Sequence, residues 1–436
     1  MRRLSVYLER LGTPVYVGAI TGSSARDASF AYDPDYAAAS ESVPLSLGLP
    51  VRCAPFDPER TRLYFEGLLP EGFTRRCVAE WIRVPEDDYL SILARLGSEC
   101  IGAVMVLEEG AIESPTAGYR PFSDEEMAEL AAGGASESAQ LVTESHLSLA
   151  GATGKIGLYR DADGAWFLPQ GTAPSTHIVK QSHVRLAGIV ANELLCLRVA
   201  RRCGINAADS FIVELGDIAA GSHADRDVLL ASERYDRRFG VNPAMLDGHP
   251  VPYRLHQEDF SQALGISHSM KYERDGGMYL RRMSDLLNRC STSPAKDRLA
   301  LWDLTVFNCL IGNTDAHLKN VSLMYSAGWD ELRLAPAYDI VSTVFYPQCT
   351  DELACAIGGV RRLGELDRAV FERAADQVGM GRVAAMRRLD DMVERFPEVL
   401  DDEAQWLADE GFPVALSIRD AILERGCVKA LRSARV

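Results

Sequence analysis

Residues 310–325 read LIGNTDAHLKNVSLMY, and the types gathered after Gly312 are ones that handle charge. Asn313, Asp315, His317, Lys319 and Asn320 follow an apolar run and precede a plain strand pattern. The run before them carries helix signals: Ser293 at the cap, Pro294 at the first position, and Leu299, Trp302, Val306 and Leu310 along one face. Gly312 ends it, which puts Asp315 to Asn320 on a loop. VSLMY and ELRL then pair around SAGWD, and a hairpin returns the chain to where it began. APAYDI, with Asp339, therefore comes back beside Asn320. Three oxygen-bearing side chains converge there, and magnesium takes oxygen ligands, usually one or two carboxylates with phosphate oxygens and water. D-x4-N followed by an Asp across a hairpin suits phosphoryl transfer: Asp315 orients the acceptor hydroxyl, while Asn320 and Asp339 hold the metal. An Asp of ordinary pKa, roughly 3.9, is a weak base at neutral pH, so Asp315 contributes positioning plus late proton acceptance. The same segment also reads as a solvated loop with capping Asp and Asn, and the spacing alone leaves both open.

A second half of such a site lies upstream. AGATGK at 150–155 is a small-residue loop whose backbone N–H groups can cradle phosphates. It is not a Walker A loop, because Leu149 stands where that pattern needs Gly, and alone it is equally a turn. Lys180 ends the apolar strand STHIVK, twenty-five residues after Lys155, where it suits the lysine that pairs nucleotide phosphates. Glu193 falls in a helix that is apolar on most faces, so it is either exposed or paired, with Lys180 the natural partner.

The elements that must hold these residues divide the chain. At 436 residues and 47% hydrophobic, it has material for two or three cores. Residues 1–107 read as an α/β unit, opening with a hairpin turned at Gly12 to Pro14 and closing on the strand pattern CIGAVMVLEE. Residues 108–144 turn rich in Gly, Ala, Ser and Pro and read as a connection with one short helix, capped by Ser123 and Glu126. Residues 145–436 begin with strands and become mostly helical after DVLLASERYDRR, with one hairpin at 321–334.

Charge and cysteine usage narrow the function classes. Lys plus Arg is 46 against 62 Asp plus Glu, a net charge of −16. Grip on nucleic acid comes from cations neutralising phosphates, so DNA contact is expected only through a partner. The ten cysteines form no CxxC pair, and those inside apolar runs, such as Cys196 and Cys309, read as buried small hydrophobes in a reducing compartment. The first residues lack the apolar core of a signal peptide and no long apolar run follows, so the expectation is a soluble cytoplasmic protein without membrane contact.

Taken in order, LSLAGATGK, STHIVK, SERYDRR, RLHQEDFSQALG, KYERDGG, IGNTDAHLKN and PAYDI make the chain resemble the HipA family of serine/threonine kinases, toxins of bacterial toxin–antitoxin pairs. PLSLGLPV, FEGLLPEG and LGSECIGAV are similar to that family's amino-terminal domain. The resemblance implies an α+β fold, bilobal and kinase-like, with an α/β amino-terminal domain and a mostly helical carboxy-terminal lobe. It implies ATP and Mg2+ as cofactors, with Asp315 as the catalytic Asp and Asn320 and Asp339 as metal ligands. Lys180 would contact the ATP phosphates, and Ala150, Gly151, Ala152, Thr153, Gly154 and Lys155 would cover them. Glu233 and Tyr235 would line the adenine, largely through backbone groups, and Ser148 matches the family's autophosphorylated serine. Thr153 and Gly154 depart from the family pattern of Gln followed by a larger residue or Pro, and Thr153 adds a second candidate phospho-acceptor. His256, Gln257, Glu258 and Asp259 form a family signature that reads, on its chemistry, as a structural hydrogen-bond network.

The implied partners are a small HipB-like helix-turn-helix antitoxin and a protein substrate, an aminoacyl-tRNA synthetase in the family. Two other functions fit the same residues: a non-catalytic pseudokinase acting as co-repressor with its antitoxin, and a small-molecule kinase.

Overall fold

The computed structural model describes residues 1–110, 117–145, 154–183, 185–215 and 227–433. The chain forms two compact units: one of 1–183, 229–268 and 324–331, the other of 184–228, 269–323 and 332–436.

In the first unit, strand Arg2–Arg10 lies between Thr13–Gly22 and Val104–Glu108, with Ser29–Tyr32 outermost, all antiparallel. Leu4, Val6 and Leu8 alternate inward and are fully buried. Gly18, opposite Tyr32, is required where it stands, because a Cβ there would meet the Ala31 carbonyl oxygen at 2.2 Å. Helices Pro58–Glu66 and Tyr89–Leu96 start at Asp57 and Asp88, whose carboxylates accept from Arg60 N and Ser91 N.

A second antiparallel sheet runs in the order Ala117–Pro121, Trp166–Gly171, Lys155–Arg160, His177–Gln181, Val228–Glu233. The connection expected at 108–144 thus contributes a strand to it. Its helix is also not short: it runs Asp124–Ser145, 22 residues. The capping box is present, Ser123 N–H to Glu126 at 2.9 Å and Glu126 N–H to Ser123 Oγ at 3.2 Å. Met127, Leu130, Leu141 and Val142 are buried, so tertiary packing carries the helix across Gly133 and Gly134, where propensity suggests an end.

In the second unit, helix Pro294–Leu310 packs on the 28-residue helix Arg382–Asp409, with the Phe307 and Phe396 rings 5.9 Å apart. Trp302 is fully buried and donates Nε1–H to the Ala385 carbonyl at 3.2 Å. Helices Ile189–Arg202, Tyr279–Cys290, Arg368–Gln377, Val414–Arg425 and Val428–Ser433 also belong to the unit. The expectation of a single hairpin after residue 238 is corrected. Met245–Leu246 pairs with His249–Pro250 across Asp247-Gly248, and Glu352–Ile357 pairs with Val360–Arg362 across Gly358-Gly359. All four turn residues have positive φ, from 50° to 85°, as tight hairpin turns demand.

Candidate active site

Helix Pro294–Leu310 ends at Gly312, with φ of 68°, where a Cβ would strike Val344 at 2.5 Å. The loop that follows is held at nearly every residue. Asn313 bonds to Asn308 through its main chain (2.8 Å) and its amide (2.9 Å). Thr314 N–H donates to Thr343 Oγ1 at 2.8 Å, and Thr343 donates in turn to the Gly312 carbonyl at 2.8 Å. Asp315 N–H donates to Asn313 Oδ1 at 3.0 Å, and the Asp315 carbonyl accepts from His317 N–H (2.8 Å) and Asn320 Nδ2 (3.0 Å). Asp315 itself is exposed, on a backbone that cannot wander.

The expected hairpin is present, Ser322–Tyr325 with Leu332–Leu334, closed at its base by Ala335 N–H to Ser322 O at 2.8 Å. Beyond it, the Tyr338 hydroxyl donates to the Lys319 carbonyl at 2.8 Å and lies 2.5 Å from Ser322 Oγ. This sets Tyr338 and Asp339 against Lys319 and Asn320. Ala337 is clamped from its far side, donating to Asn206 O at 2.8 Å and accepting from Ala208 N–H at 2.9 Å. Asp339 has φ of 52°, a conformation few non-glycine residues adopt, and Asp tolerates it better than most. Asn192, fully buried, exchanges two hydrogen bonds with the Ser342 main chain (3.0 and 2.9 Å), fixing the segment that follows.

These residues fit a magnesium ion. The Asn320 amide nitrogen is engaged with Asp315 O, which leaves Oδ1 as its acceptor, and Asp339 follows Tyr338, whose hydroxyl reaches the Lys319 carbonyl. Among the described residues no group of three or more His, Cys, Asp or Glu could hold a metal, so a self-sufficient zinc- or iron-type cage is absent there. A carboxylate and an amide oxygen are donor types that magnesium takes beside phosphate oxygens and water.

The first unit holds the other half of the expected residues. Lys155 and Lys180 are direct cross-strand partners, so their side chains share one face of the sheet, and both are buried to 9% exposure. Gly154 is buried next to Lys155. Ser148, Ala150, Gly151, Ala152 and Thr153 lie outside the described residues. Glu233 is exposed at the end of its strand, opposite His177, whose pKa burial and then Arg160 push down to about 4. Tyr235 follows, its hydroxyl donating to Gln257 Oε1 at 2.6 Å.

On both sides of Tyr235 the neighbouring residues turn inward. Arg234, Asp236 and Arg237 join Glu99, Glu9 and Arg254 in a buried cluster of three guanidinium and three carboxylate groups. Burial alone would raise Glu99, but Arg237, Arg254 and Arg234 outweigh it and hold the carboxyl at about 2. The signature at 256–259 continues this network. His256 donates to Leu45 O at 3.0 Å and Gln257 donates to Asp236 at 2.9 Å. Glu258 accepts from Ser46 Oγ (2.6 Å) and Leu47 N–H (2.9 Å), and Asp259 caps the helix Phe260–Ala263. The structural reading of these four residues is the one the contacts support.

Sequence reasoning passed over Thr314, Thr343, Asn192 and Tyr272. Thr314 and Thr343 hold the loop, and Asn192 the segment after Asp339, through bonds to residues far along the chain, which no local spacing encodes. Tyr272 lay inside KYERDGG without a role, yet its hydroxyl meets Asp315. Glu193 is buried on helix Ile189–Arg202.

Residues 4–107 match the HipA N-terminal domain and residues 147–400 the HipA-like C-terminal domain. A Sinorhizobium fredii relative, Y4mE, is 34% identical over 406 residues, covering 90% of this chain and 91% of that protein. The serine/threonine-protein kinase toxin HipA of Shewanella oneidensis is 28% identical over 370 residues, 79% of this chain and 80% of that one. In three dimensions the chain is similar to Shewanella oneidensis HipA, solved in complex with HipB and its operator DNA. The TM-score is 0.76 at 24% identity, over 99% of this chain and 100% of that one, which establishes the same α+β, kinase-like fold. With both domain models matched in order and a third of the residues shared along nearly its whole length, the chain belongs to the HipA family, that of the serine/threonine kinase toxins.

Proposed function

We propose that the chain is an ATP- and magnesium-dependent serine/threonine protein kinase that arrests growth as a toxin. The observation that carries this reading is the braced loop bearing Asp315 and Asn320, to which Tyr338, the residue before Asp339, is bonded at Lys319. The paired, buried Lys155 and Lys180 support it. Magnesium, held by Asn320 and Asp339, would supply positive charge against the phosphate oxygens. The chain's own residues do the rest. Lys155 and Lys180 hold the phosphates by charge, and Asn320 Oδ1 and Asp339 supply the metal's protein oxygens. Asp315 aligns the acceptor hydroxyl for in-line attack and takes its proton late, as the new P–O bond forms. Glu233 and Tyr235 place the adenine. Ser148 is the proposed site of self-limiting autophosphorylation: two negative charges next to bound triphosphate would repel it and lower ATP affinity.

The substrate is proposed to be a protein, of the aminoacyl-tRNA synthetase class that the family resemblance suggests. The partner is proposed to be a small HipB-like antitoxin, in keeping with the HipB and operator DNA in the Shewanella complex. Incubating the purified chain, magnesium and γ-labelled ATP with cell lysate tests the reading. Label on serine or threonine of a protein, absent with Asp315→Ala, supports it. Label on a metabolite makes the chain a small-molecule kinase, and no label leaves a pseudokinase co-repressor.

A further inference from the structure

Between residues 270 and 278 three large apolar side chains stand out to solvent: Met270 is 41% exposed, Tyr272 45% and Met278 50%. Single exposed apolar residues are ordinary, whereas groups of them mark interaction surfaces. This group begins at the candidate catalytic carboxylate, because the Tyr272 hydroxyl donates to Asp315 Oδ1 at 2.6 Å. The loop that carries it has a set shape. Leu318 N–H donates to the Lys271 carbonyl at 3.4 Å, Glu273 N–H to Ala354 O at 2.7 Å, and Gly277 N–H to Arg274 O at 2.9 Å. The Tyr279 hydroxyl reaches back to the Met270 carbonyl at 2.6 Å and closes the loop. A Cβ at Gly277 would meet Glu273 Cγ at 2.8 Å, so the turn needs glycine there. Met278 has φ of 47°, a left-handed backbone that a bulky side chain rarely takes. The fold holds this methionine in a disfavoured conformation and leaves half of it in solvent.

Lys271, Glu273, Arg274 and Asp275 sum to no net charge, so the loop favours neither an acidic nor a basic partner. What it offers is two thioethers and a phenol ring, side chains that adapt to varied apolar groups. We propose that Met270, Tyr272 and Met278 dock the acceptor segment of a protein substrate and select a serine or threonine with an apolar side chain close to it in sequence. This rests on reading Asp315 as the acceptor-orienting Asp. An extended segment with its hydroxyl at Asp315 advances about 3.3 Å per residue, so side chains two or three positions from the acceptor come over the loop. A small-molecule acceptor would leave that surface unused. Contact with an antitoxin or a second copy would have no need to start at the catalytic carboxylate.

Met270→Gln/Met278→Gln keeps side-chain length, removes both apolar ends at exposed positions, and leaves Tyr272 and Asp315 as they are. Lysate protein freed of metabolites is titrated against the full-length wild type and the double variant, with magnesium and γ-labelled ATP in excess. The expected result is a roughly 10-fold rise in the protein concentration that gives half-maximal labelling, the size of two partly buried methionines lost from an interface. The maximal rate, KM for ATP and the thermal unfolding midpoint should stay as in wild type, a split that a merely structural loop would not give. Equal dependence on lysate protein in the two chains overturns the docking role, as does a loss confined to the maximal rate. Unchanged labelling with lost inhibition by an added antitoxin gives the surface to that partner, and a wild-type dimer that the variant lacks gives it to a second copy; either overturns the proposal. A wild type that labels no protein overturns the kinase reading and this role with it.

Discussion

At the scale of single residues, each site side chain has one task. Asp339 supplies a metal oxygen from a left-handed backbone position, so Asp339→Ala should remove phosphoryl transfer and lower stability only by the cost of alanine in that conformation, about 1–2 kcal/mol. Transfer close to wild type in that variant would contradict the assignment. Lys180 supplies charge. Lys180→Ala leaves Lys155 opposite a methyl group, and ATP affinity by calorimetry should fall by roughly 10-fold or more in magnesium. Equal affinity with and without the lysine would mean the sheet face is not the phosphate-binding one. The candidate residues were legible in the sequence because D-x4-N and a strand-end lysine are local patterns. Tyr272 was not, since its meaning lies in a contact forty-three residues away.

At the scale of elements, helix Pro294–Leu310 and the hairpin after it follow from apolar spacing, Pro294 and Gly312, and both stand where the sequence puts them. The two extra hairpins were announced by Asp247-Gly248 and Gly358-Gly359, turn signals outweighed by the helical patterns around them. What no pattern revealed is the buried charge cluster, assembled from Glu9, Glu99, Arg234, Asp236, Arg237 and Arg254. Glu99→Gln leaves three buried guanidiniums against two carboxylates, and should destabilise by about 3–5 kcal/mol in chemical denaturation. A loss below about 1 kcal/mol would show that water reaches the cluster. Glu258 gives a pH test. Burial, with Asp259 adding to it, raises its pKa from 4.5 to about 8 despite the bonds from Ser46 and Leu47. Between those values the folded chain holds a proton that the unfolded chain has released, so stability falls as pH rises. Glu258→Gln, which mimics the protonated form, should flatten the slope of apparent unfolding midpoint between about pH 5 and 8. An unchanged slope would place the titration elsewhere.

At the scale of the whole molecule, a net charge of −16 sets what the chain can do alone. Phosphate neutralisation needs clustered cations, so purified chain should show no salt-sensitive operator binding until a small antitoxin is added. Tight operator binding without a partner would contradict that. Among the described residues no helix is long and apolar enough to cross a membrane. The central claim, that this chain moves the γ-phosphoryl group of ATP through Asp315, is tested most directly by one side-by-side assay. Full-length wild type and Asp315→Ala, each with magnesium, γ-labelled ATP and lysate protein, are compared for label on protein. The account predicts transfer by wild type and a rate roughly 10²–10⁴-fold lower for Asp315→Ala, with its unfolding midpoint preserved. Label transfer by the variant at the wild-type rate would contradict it.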